Sequence, residues 1–572
     1  MKHTKCYISN YPRPLMTRPN WINLNGEWDF VFDDNNQGLN SKWNESFPLN
    51  ASKILVPYSY HTAKSKIFDT TYHPYMWYRK LLEITKKENE TILLHFEAVD
   101  YASTIYINGL FVGKHIGGYN RFSFDISEFL VEGQNTITVF VHDDFSKEKP
   151  RGKQRYKKEN FECWYIETSG IWKTAWIERV NNTYITDLSF NYGLENVKYN
   201  INTENMLDTD KLSFSIYNDE TCIYSMFSLN NKDIEFPIPH NIEKWSEFNP
   251  KLYDIKISII RDSIILDTIQ SYIGFRFITY KEKILINDKL PYFKMILDQG
   301  YFSENHLTAT EDEIKKDLLL TKKMGFNGIR KHEKLESQVY NYYCDILGIY
   351  TWQEMPSFYE FSELSKKRYL SEYKEMIHQY INHPSIIAWV PFNESWGITD
   401  IYNDKDQQAF TLEVYKLTKK LDPTRPVVTN DGWEHTVTDI VTFHNYQEYG
   451  EGLLSTYGDI EKILTNETVM PHPAKKAFAK GFHYMKQPLM MTEFAGIAFN
   501  DSKGWGYGET VKTKKEFINR LSSLINAIKK MDYFQGYCIT QLTDVQQEIN
   551  GLLFESREAK INLETIKELN QI

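Results

Sequence analysis

Two glutamates each follow directly on an apolar run of the kind that forms a buried β-strand. The run 386–390 leads through a short turn to Glu394, and the run 489–492 ends at Glu493, about a hundred residues later. A pair of carboxyl groups can cleave a glycosidic bond, because one acid protonates the leaving oxygen while the other carboxylate attacks the anomeric carbon or activates water. That division of labour requires surroundings that push the two pKa values apart. The sequence therefore predicts Glu394 and Glu493 as a catalytic pair.

The strands that carry these glutamates belong to a C-terminal stretch in which short apolar runs alternate with amphipathic helices. Most of the runs lack polar alternation, as is typical of strands that are covered on both faces. Eight strands are predicted at 292–297, 328–330, 350–353, 386–390, 427–429, 441–444, 489–492 and 536–540. Eight strand–helix units in about 290 residues match a TIM (β/α)8 barrel, whose catalytic groups sit where the strands end. The fourth and seventh strands lie across the barrel from each other, so the two carboxylates can converge.

Helix signals support the barrel. A helix is predicted to begin at Thr310, which with Glu313 forms a capping-box pattern, and to end at Gly325. Further helices are predicted over 366–381, 406–420 and 511–531. The fifth and sixth crossovers are irregular, so the count of eight strands depends partly on how the runs are chosen.

Before residue 280 the chain is predicted to be all β. Runs of β-branched and aromatic residues at 93–96, 104–107 and 136–141 are separated by turn signals. Asn108-Gly109 is a strong hairpin signal. Such spacing predicts two β-sandwich modules ahead of the barrel. We expect domains at 1–180, 181–278 and 279–572.

Composition narrows the partners and the compartment. With 66 basic and 76 acidic residues the net charge is −10, which argues against nucleic acid as a partner. No run of 18 apolar residues and no signal-peptide core appear, so we expect a cytoplasmic protein with no membrane partner. Five scattered cysteines form no disulfide framework or metal pair, and no His and Asp cluster at metal spacing follows the strands. We therefore expect no cofactor and no metal ion, so a metal-assisted hydrolase is a weaker alternative. Whether the chain forms a homo-oligomer is left open.

Several short motifs resemble those of glycoside hydrolase family 2. They comprise Asn393-Glu394, Thr492-Glu493-Phe494, Leu24-Asn25-Gly26-Glu27-Trp28, Ser169-Gly170-Ile171-Trp172, Gly274-Phe275-Arg276, and Gly325-Phe326-Asn327-Gly328-Ile329-Arg330 followed by His332. The resemblance covers essentially the whole chain. It implies a multidomain β plus α/β architecture, with a jelly-roll sandwich, an immunoglobulin-like sandwich and the barrel in that order. It also implies a retaining, exo-acting β-glycoside hydrolase, with Glu394 as acid/base and Glu493 as nucleophile.

The same resemblance suggests roles for residues around the pair. Asn393 would bind the sugar 2-hydroxyl, Arg330 and His332 would hold the nucleophile and a sugar hydroxyl, and Tyr446 would hydrogen-bond the nucleophile. His444 follows the sixth strand as either a sugar ligand or a core histidine. Trp505, in the glycine-rich segment 504–508, offers an indole face to a sugar. Simpler interpretations stay open: a turn residue at Asn393, a structural ion pair at Arg330, and a loop-pinning role for Trp505.

The sequence indicates which sugar is recognised less clearly than it indicates the type of reaction. The acidic residue that related galactosidases and glucuronidases place shortly before Gly170-Ile171 is missing, since Glu162 and Glu167 are out of register. The segment after the eighth strand, 548–552, lacks the Asn-x-Lys pair of glucuronidases, and 353–356 lacks the Glu-x-His magnesium motif of some galactosidases. The best expectation is a β-galactosidase-like enzyme acting on a small oligosaccharide or glycoside. A β-glucuronidase or β-galacturonidase, and a non-catalytic carbohydrate-binding protein, are the alternatives.

Overall fold

A sandwich of two antiparallel sheets forms the N-terminal part of the computed structural model, which describes residues 3–193, 196–229, 233–471, 474–500 and 504–571. Its six-stranded sheet runs in the order Ser52–Val56, Gly26–Phe32, Tyr75–Glu83, Gln134–His142, Ala102–Ile107, Leu110–Ile116. Its four-stranded sheet runs Trp21–Asn23, Ala175–Asn181, Glu90–Phe96, Phe122–Asp125, and a small pair joins Gly170–Ile171 to Val99–Asp100. Single 3-10 turns cover Ala63–Ser65 and Ser127–Phe129. Inward residues of both sheets, such as Trp28 and Leu94, share one buried core.

The hairpin predicted at Asn108-Gly109 is confirmed. Asn108 has φ 51° and Gly109 has φ 79°, and they connect Ala102–Ile107 directly to Leu110–Ile116. Two consecutive positive φ angles match the twist of a two-residue hairpin, and Asn-Gly adopts them readily.

A second sandwich follows. Its three-stranded sheet contains Tyr184–Tyr192, Asn196–Glu204 and Asp233–Pro237, and its four-stranded sheet runs Thr221–Leu229, Lys211–Asn218, Tyr253–Arg261, Ile264–Ile273. In Lys211–Asn218 the residues Leu212, Phe214 and Ile216 are fully buried while their neighbours are not. This alternation places one face of each strand in the core and the other toward water.

The C-terminal part is a parallel barrel. Seven strands run in the order Ile386–Val390, Tyr350–Glu354, Gly328–Lys331, Phe293–Asp298, Phe534–Thr540, Leu489–Ala495, Val441–His444. All five residues of Ile386–Val390 are buried, as expected for a strand covered on both faces. Short flanking pairs are Ile278–Tyr280 with Ile284–Ile286, Met470–Pro471 with Ala474–Lys475, and Ile497–Phe499 with Tyr507–Val511.

The predicted fifth strand at 427–429 is wrong. Val427 makes only an isolated parallel bridge to Trp389, and the two-residue strands Phe392–Asn393 and Asn430–Asp431 pair just beyond it. The reason is local competition for backbone groups. The carboxylate of Asp439 accepts the Val427 amide at 2.8 Å, so that amide is not available for a strand ladder.

Eight helices are described around the barrel. They are Glu311–Lys323, Gln338–Leu347, Glu363–Tyr380, Lys405–Leu421, Gly450–Tyr457, Ile460–Leu464, Lys514–Lys530 and Leu563–Leu569. The capping box predicted at Thr310 is confirmed, with the Thr310 hydroxyl accepting the amide of Glu313 and the Glu313 carboxylate accepting that of Thr310. The helix predicted over 366–381 begins at Glu363 because Ser362 caps it. No helix in the described ranges is long and apolar enough to cross a membrane.

Candidate active site

Glu394 and Glu493 meet at the mouth of the barrel. Glu493 lies within the strand Leu489–Ala495, and Glu394 follows the short strand Phe392–Asn393 with φ 52°. The Glu394 amide donates to the carbonyl of Asp431 at 2.9 Å, which fixes this turn. One carboxylate oxygen of each glutamate and a ring nitrogen of His444 all lie within 4.8 Å of one another.

Glu493 is surrounded by groups that favour its charged form. Arg330 Nη1 lies 2.5 Å from Oε1, and the Tyr446 hydroxyl donates a very short hydrogen bond to Oε2. Burial would raise the pKa of Glu493, but the positive charges of His444 and Arg330 outweigh it and lower the pKa to about 2. Glu493 is therefore ionised at neutral pH.

Glu394 has the opposite bias. Burial raises the pKa of its carboxyl, and the negative charge of Glu493 raises it further. His444 Nδ1 lies 2.8 Å from Oε1 and only partly offsets these effects. Two neighbouring carboxyl groups thus have pKa values displaced in opposite directions, which suits one proton donor and one nucleophile.

Asp431 contacts both cationic side chains of the site, Arg330 and His444. Its Oδ2 lies 2.9 Å from Arg330 Nε and 3.1 Å from His444 Nε2, and Oδ1 accepts the Thr492 hydroxyl at 2.8 Å. Burial would lower the pKa of His444, but Glu493 and Asp431 raise it to about 10. Sequence reasoning missed Asp431, although an acidic residue just after the fifth strand of a barrel was a usable signal.

Asn393 and His332 flank the pair. Asn393 Oδ1 accepts from Arg330 at 2.6 Å, while its amide nitrogen is buried and has no hydrogen-bond partner among the described residues. His332 Nδ1 lies 2.9 Å from a carboxylate oxygen of Glu354, and burial holds the pKa of His332 well below its ordinary value. Both side chains are neutral, and Asn393 keeps an unused donor beside Glu394.

Trp505 lies slightly apart from this network. Its ring is partly buried, its indole nitrogen donates to the carbonyl of Glu162 at 2.9 Å, and its ring packs edge-on against Tyr507 at 5.5 Å. Tyr507 in turn stacks on Tyr446 at 3.4 Å. Trp505 therefore pins the loop after the seventh strand to the N-terminal sandwich; an additional contact with a sugar stays a prediction.

A segment of the N-terminal sandwich, residues 147–166, covers part of the barrel mouth. Gln547 Nε2 donates to the carbonyls of Glu162 and Trp164 at 3.0 and 3.1 Å. The Trp164 ring lies 5.7 Å from that of Trp396 and 5.5 Å from that of Tyr359, which belong to loops after the fourth and third strands. The aromatic cluster forms an apolar wall of the kind that packs against sugar rings or aryl groups.

The three groups Glu394, His444 and Glu493 could by distance alone ligate a metal ion. Metal binding requires a deprotonated imidazole. Because the pKa of His444 is raised to about 10, its ring carries both protons at neutral pH and has no free lone pair. The arrangement is better suited to one carboxyl group that donates a proton and one that acts as a nucleophile.

Comparison with known proteins agrees with this architecture. Three family profiles match in succession: "Glycosyl hydrolases family 2, sugar binding domain" over residues 22–181, "Glycosyl hydrolases family 2" over 183–276, and "Glycosyl hydrolases family 2, TIM barrel domain" over 278–572. The chain belongs to glycosyl hydrolase family 2, and the resemblance and fold class inferred from its motifs are confirmed.

Similar sequences carry two different names. A putative β-glucuronidase of Formosa agariphila is 26% identical over 495 residues, covering 81% of this chain and 57% of that protein. A β-galactosidase of Thermoanaerobacter pseudethanolicus is 26% identical over 476 residues, covering 79% of this chain and 62% of that protein. The chain thus spans about 60% of the length of these relatives.

Similar structures include a β-glucuronidase from Ruminococcus gnavus in complex with uronic deoxynojirimycin. It superposes with a TM-score of 0.81 and 19% identity, covering 97% of this chain and 98% of that one. A Bifidobacterium dentium β-glucuronidase complexed with coumarin-3-O-glucuronide has a TM-score of 0.80 and 18% identity, covering 98% of both chains. At this identity the likeness establishes the fold.

Proposed function

We propose that this family 2 chain hydrolyses a terminal β-linked sugar with net retention, using Glu394 as acid/base and Glu493 as nucleophile. The observation that carries the proposal is the pair of carboxyl groups with oxygens within 4.8 Å and pKa values shifted in opposite directions. Retaining enzymes hold their carboxyl groups about 5–5.5 Å apart, whereas inverting enzymes need roughly 6.5–9.5 Å to admit a water molecule.

In the first step, Glu493 attacks the anomeric carbon and Glu394 protonates the departing glycosidic oxygen. Arg330 and Tyr446 hold the two oxygens of Glu493, so its lone pairs are aimed before the substrate arrives. The amide nitrogen of Asn393, which has no hydrogen-bond partner in the described part of the chain, would donate to a ring hydroxyl beside the reacting carbon. The product is an ester between Glu493 and the sugar.

In the second step, water must be deprotonated by Glu394. Esterification removes the negative charge of Glu493, which is one of the causes that raise the pKa of Glu394. The pKa of Glu394 therefore falls once the ester has formed, and the group changes from acid to base without moving. His444 Nδ1, at 2.8 Å, stabilises the resulting carboxylate.

We propose a galactoside-like sugar as the substrate. A uronide is the alternative, because the relatives are named both β-glucuronidase and β-galactosidase. Glu548 and Lys153 form a buried ion pair near Glu394 and Glu493, and exo-action on a terminal residue is part of the proposal. A non-catalytic carbohydrate-binding protein would not need carboxyl groups with opposed pKa shifts. Hydrolysis of aryl β-glycosides separates these alternatives, and failure with every sugar would refute the proposal.

Stereochemistry gives a direct test. Proton NMR of the first product should show the β-anomer, because two inversions at the anomeric carbon restore the starting configuration. Initial appearance of the α-anomer would contradict the double displacement.

Azide separates the roles of the two glutamates. Glu394→Ala should still form the glycosyl-enzyme from a substrate with a good leaving group, and azide should restore turnover and give the β-glycosyl azide. Glu493→Ala cannot form the ester, so azide should give the α-glycosyl azide. Both variants should lose activity by roughly 10²–10⁴-fold or more without azide. The opposite pairing of products would reverse the assignment.

A further inference from the structure

Lys153 and Glu548 form an ion pair near the two catalytic glutamates, where the N-terminal sandwich meets the barrel. Lys153 Nζ lies 3.5 Å from Glu548 Oε2, and the two side chains are 11% and 2% exposed. Lys153 comes from the segment 147–166 and Glu548 from the loop after the eighth strand. Lys153 lines a small cavity together with His332, which directly follows the second barrel strand, so the pair lies near the groups around Glu493. The positive charge of Lys153 also acts to lower the pKa of Glu394.

The two members of the pair are held differently. Glu548 is fixed by a very short hydrogen bond from the Tyr165 hydroxyl and by the amides of Asn550 at 3.0 Å and Gln299 at 3.4 Å. For the Lys153 ammonium, Glu548 at 3.5 Å is the hydrogen-bond acceptor found within the described residues. An ammonium has three donors, so Lys153 has donors to spare while the Glu548 carboxylate is anchored.

There is a small void beside Lys153 and two of the side chains that hold Glu548. A cavity of about 20 Å³ is lined by Lys153, Tyr165, Gln299 and His332, among others. That is room for about one water molecule. His332 ties the void to the network around Glu493, because its Nδ1 lies 2.9 Å from Glu354, the carboxylate that also pairs with Arg330.

We propose that Lys153 and Glu548 together bind a ring hydroxyl of the terminal sugar, on the side away from the cleaved bond, and so select neutral sugars over uronates. The inference rests on the proposed hydrolase function and adds the substrate class. A hydroxyl can donate to Glu548 and accept from Lys153 at the same time. A uronate carboxylate would instead compete for Lys153 and leave Glu548 buried without its counter-charge, which is strongly unfavourable.

The test compares matched aryl β-glycosides on the full chain. The panel contains galactoside with galacturonide, glucoside with glucuronide, and the 3-, 4- and 6-deoxy forms of whichever neutral sugar is hydrolysed best. The wild type should favour the neutral member of its preferred pair by at least about 100-fold in kcat/KM. It should also favour the parent sugar over one deoxy analogue by a similar factor, because a site built around a hydroxyl rejects the analogue that lacks it.

Lys153→Met and Glu548→Gln identify the residues responsible. Each should reduce the parent-to-deoxy ratio by roughly 10–100-fold, the value of a hydrogen bond to a charged group. Glu548→Gln should also narrow the preference for the neutral sugar over the uronide. A loss of folding would lower kcat/KM for parent and deoxy substrates alike, so the ratio isolates recognition. Lys158→Met and Glu159→Gln change exposed residues of the same segment and should leave every ratio unchanged.

The outcomes are distinct. A wild type that prefers a uronide overturns this inference but leaves the hydrolase proposal standing. Unchanged parent-to-deoxy ratios in both Lys153→Met and Glu548→Gln also overturn it. A wild type that hydrolyses no member of the panel overturns the hydrolase proposal and the inference with it.

Discussion

Replacing Glu493 by glutamine should lower the pKa of Glu394. In the intact site the pKa of Glu394 is raised first by burial and then by the negative charge of Glu493. Two unit charges about 5 Å apart interact by about 3 kcal/mol at an effective dielectric constant of about 20. This corresponds to roughly two pKa units. Glutamine keeps the shape and burial of the side chain, so the part of the shift that is due to burial should persist.

Carbon-13 NMR of glutamate-labelled protein can follow the carboxyl carbon of Glu394 as pH is varied, with Glu394→Gln identifying its resonance. The Glu493→Gln variant should titrate at lower pH than the wild type. Glu372→Gln is the matched control, because Glu372 is also buried with its pKa raised, to about 8, but its partners are Tyr101 and Gly118 in the N-terminal sandwich.

The physical reasoning fails if the pKa of Glu394 is unchanged or rises in Glu493→Gln, or if Glu372→Gln lowers it equally. The first result would mean that the two carboxyl groups are not electrically coupled. Then the change of Glu394 from acid to base on ester formation would need another cause, such as movement of His444.

Three further changes test other parts of the structure. Tyr446→Phe removes the hydrogen bond to Glu493 and should lower kcat/KM for an activated aryl glycoside by roughly 10–100-fold, because a hydrogen bond to a charged group is being lost. Asp431→Asn removes a charge that raises the pKa of His444 to about 10, so imidazole NMR should find that pKa lower by at least about one unit; an unchanged value would contradict the proposed role of Asp431. Thr310→Ala removes a capping box and should lower the free energy of unfolding in urea by about 1 kcal/mol, while Thr465→Ala, at an exposed helix end, should have a smaller effect.

Elements whose signals are local could be predicted from the sequence. The Asn108-Gly109 hairpin and the Thr310 capping box each depend on a few adjacent residues, and both occur where they were expected. The prediction of the fifth barrel strand was wrong because the decisive contact is not local. The apolar run at 427–429 looked like a strand, but a side chain twelve residues away takes the Val427 amide. Asp439 lies outside the run, so this competition leaves no mark within the run.

Some residues of the candidate site could be predicted from the sequence, and others could not. Residues at strand ends, such as Arg330 and Tyr446, could be found because the ends of barrel strands converge on one mouth, and the structure brings both to Glu493. Lys153 and Glu548 could not be paired from the sequence. They are 395 residues apart in the chain, and neither follows a barrel strand directly. The related enzymes place an acidic residue shortly before the positions of Gly170 and Ile171; here the N-terminal sandwich supplies Lys153 instead, and the barrel supplies the acidic residue Glu548.

The barrel and the N-terminal sandwich contribute differently to catalysis and to the proposed selection of the sugar. The charged groups that act most strongly on the pKa values of Glu394 and Glu493 are His444 and Arg330, together with the two glutamates themselves, and all of them belong to the barrel; Lys153 of the sandwich makes a smaller contribution to Glu394. The groups that hold Glu548 include Tyr165 and Lys153 from the N-terminal sandwich. Under the proposal, changes in the segment 147–166 alter which sugar is accepted, while the main causes of the opposed pKa shifts stay in the barrel. In this proposal the barrel supplies the reacting groups, and a separate domain supplies part of the surface that selects the sugar.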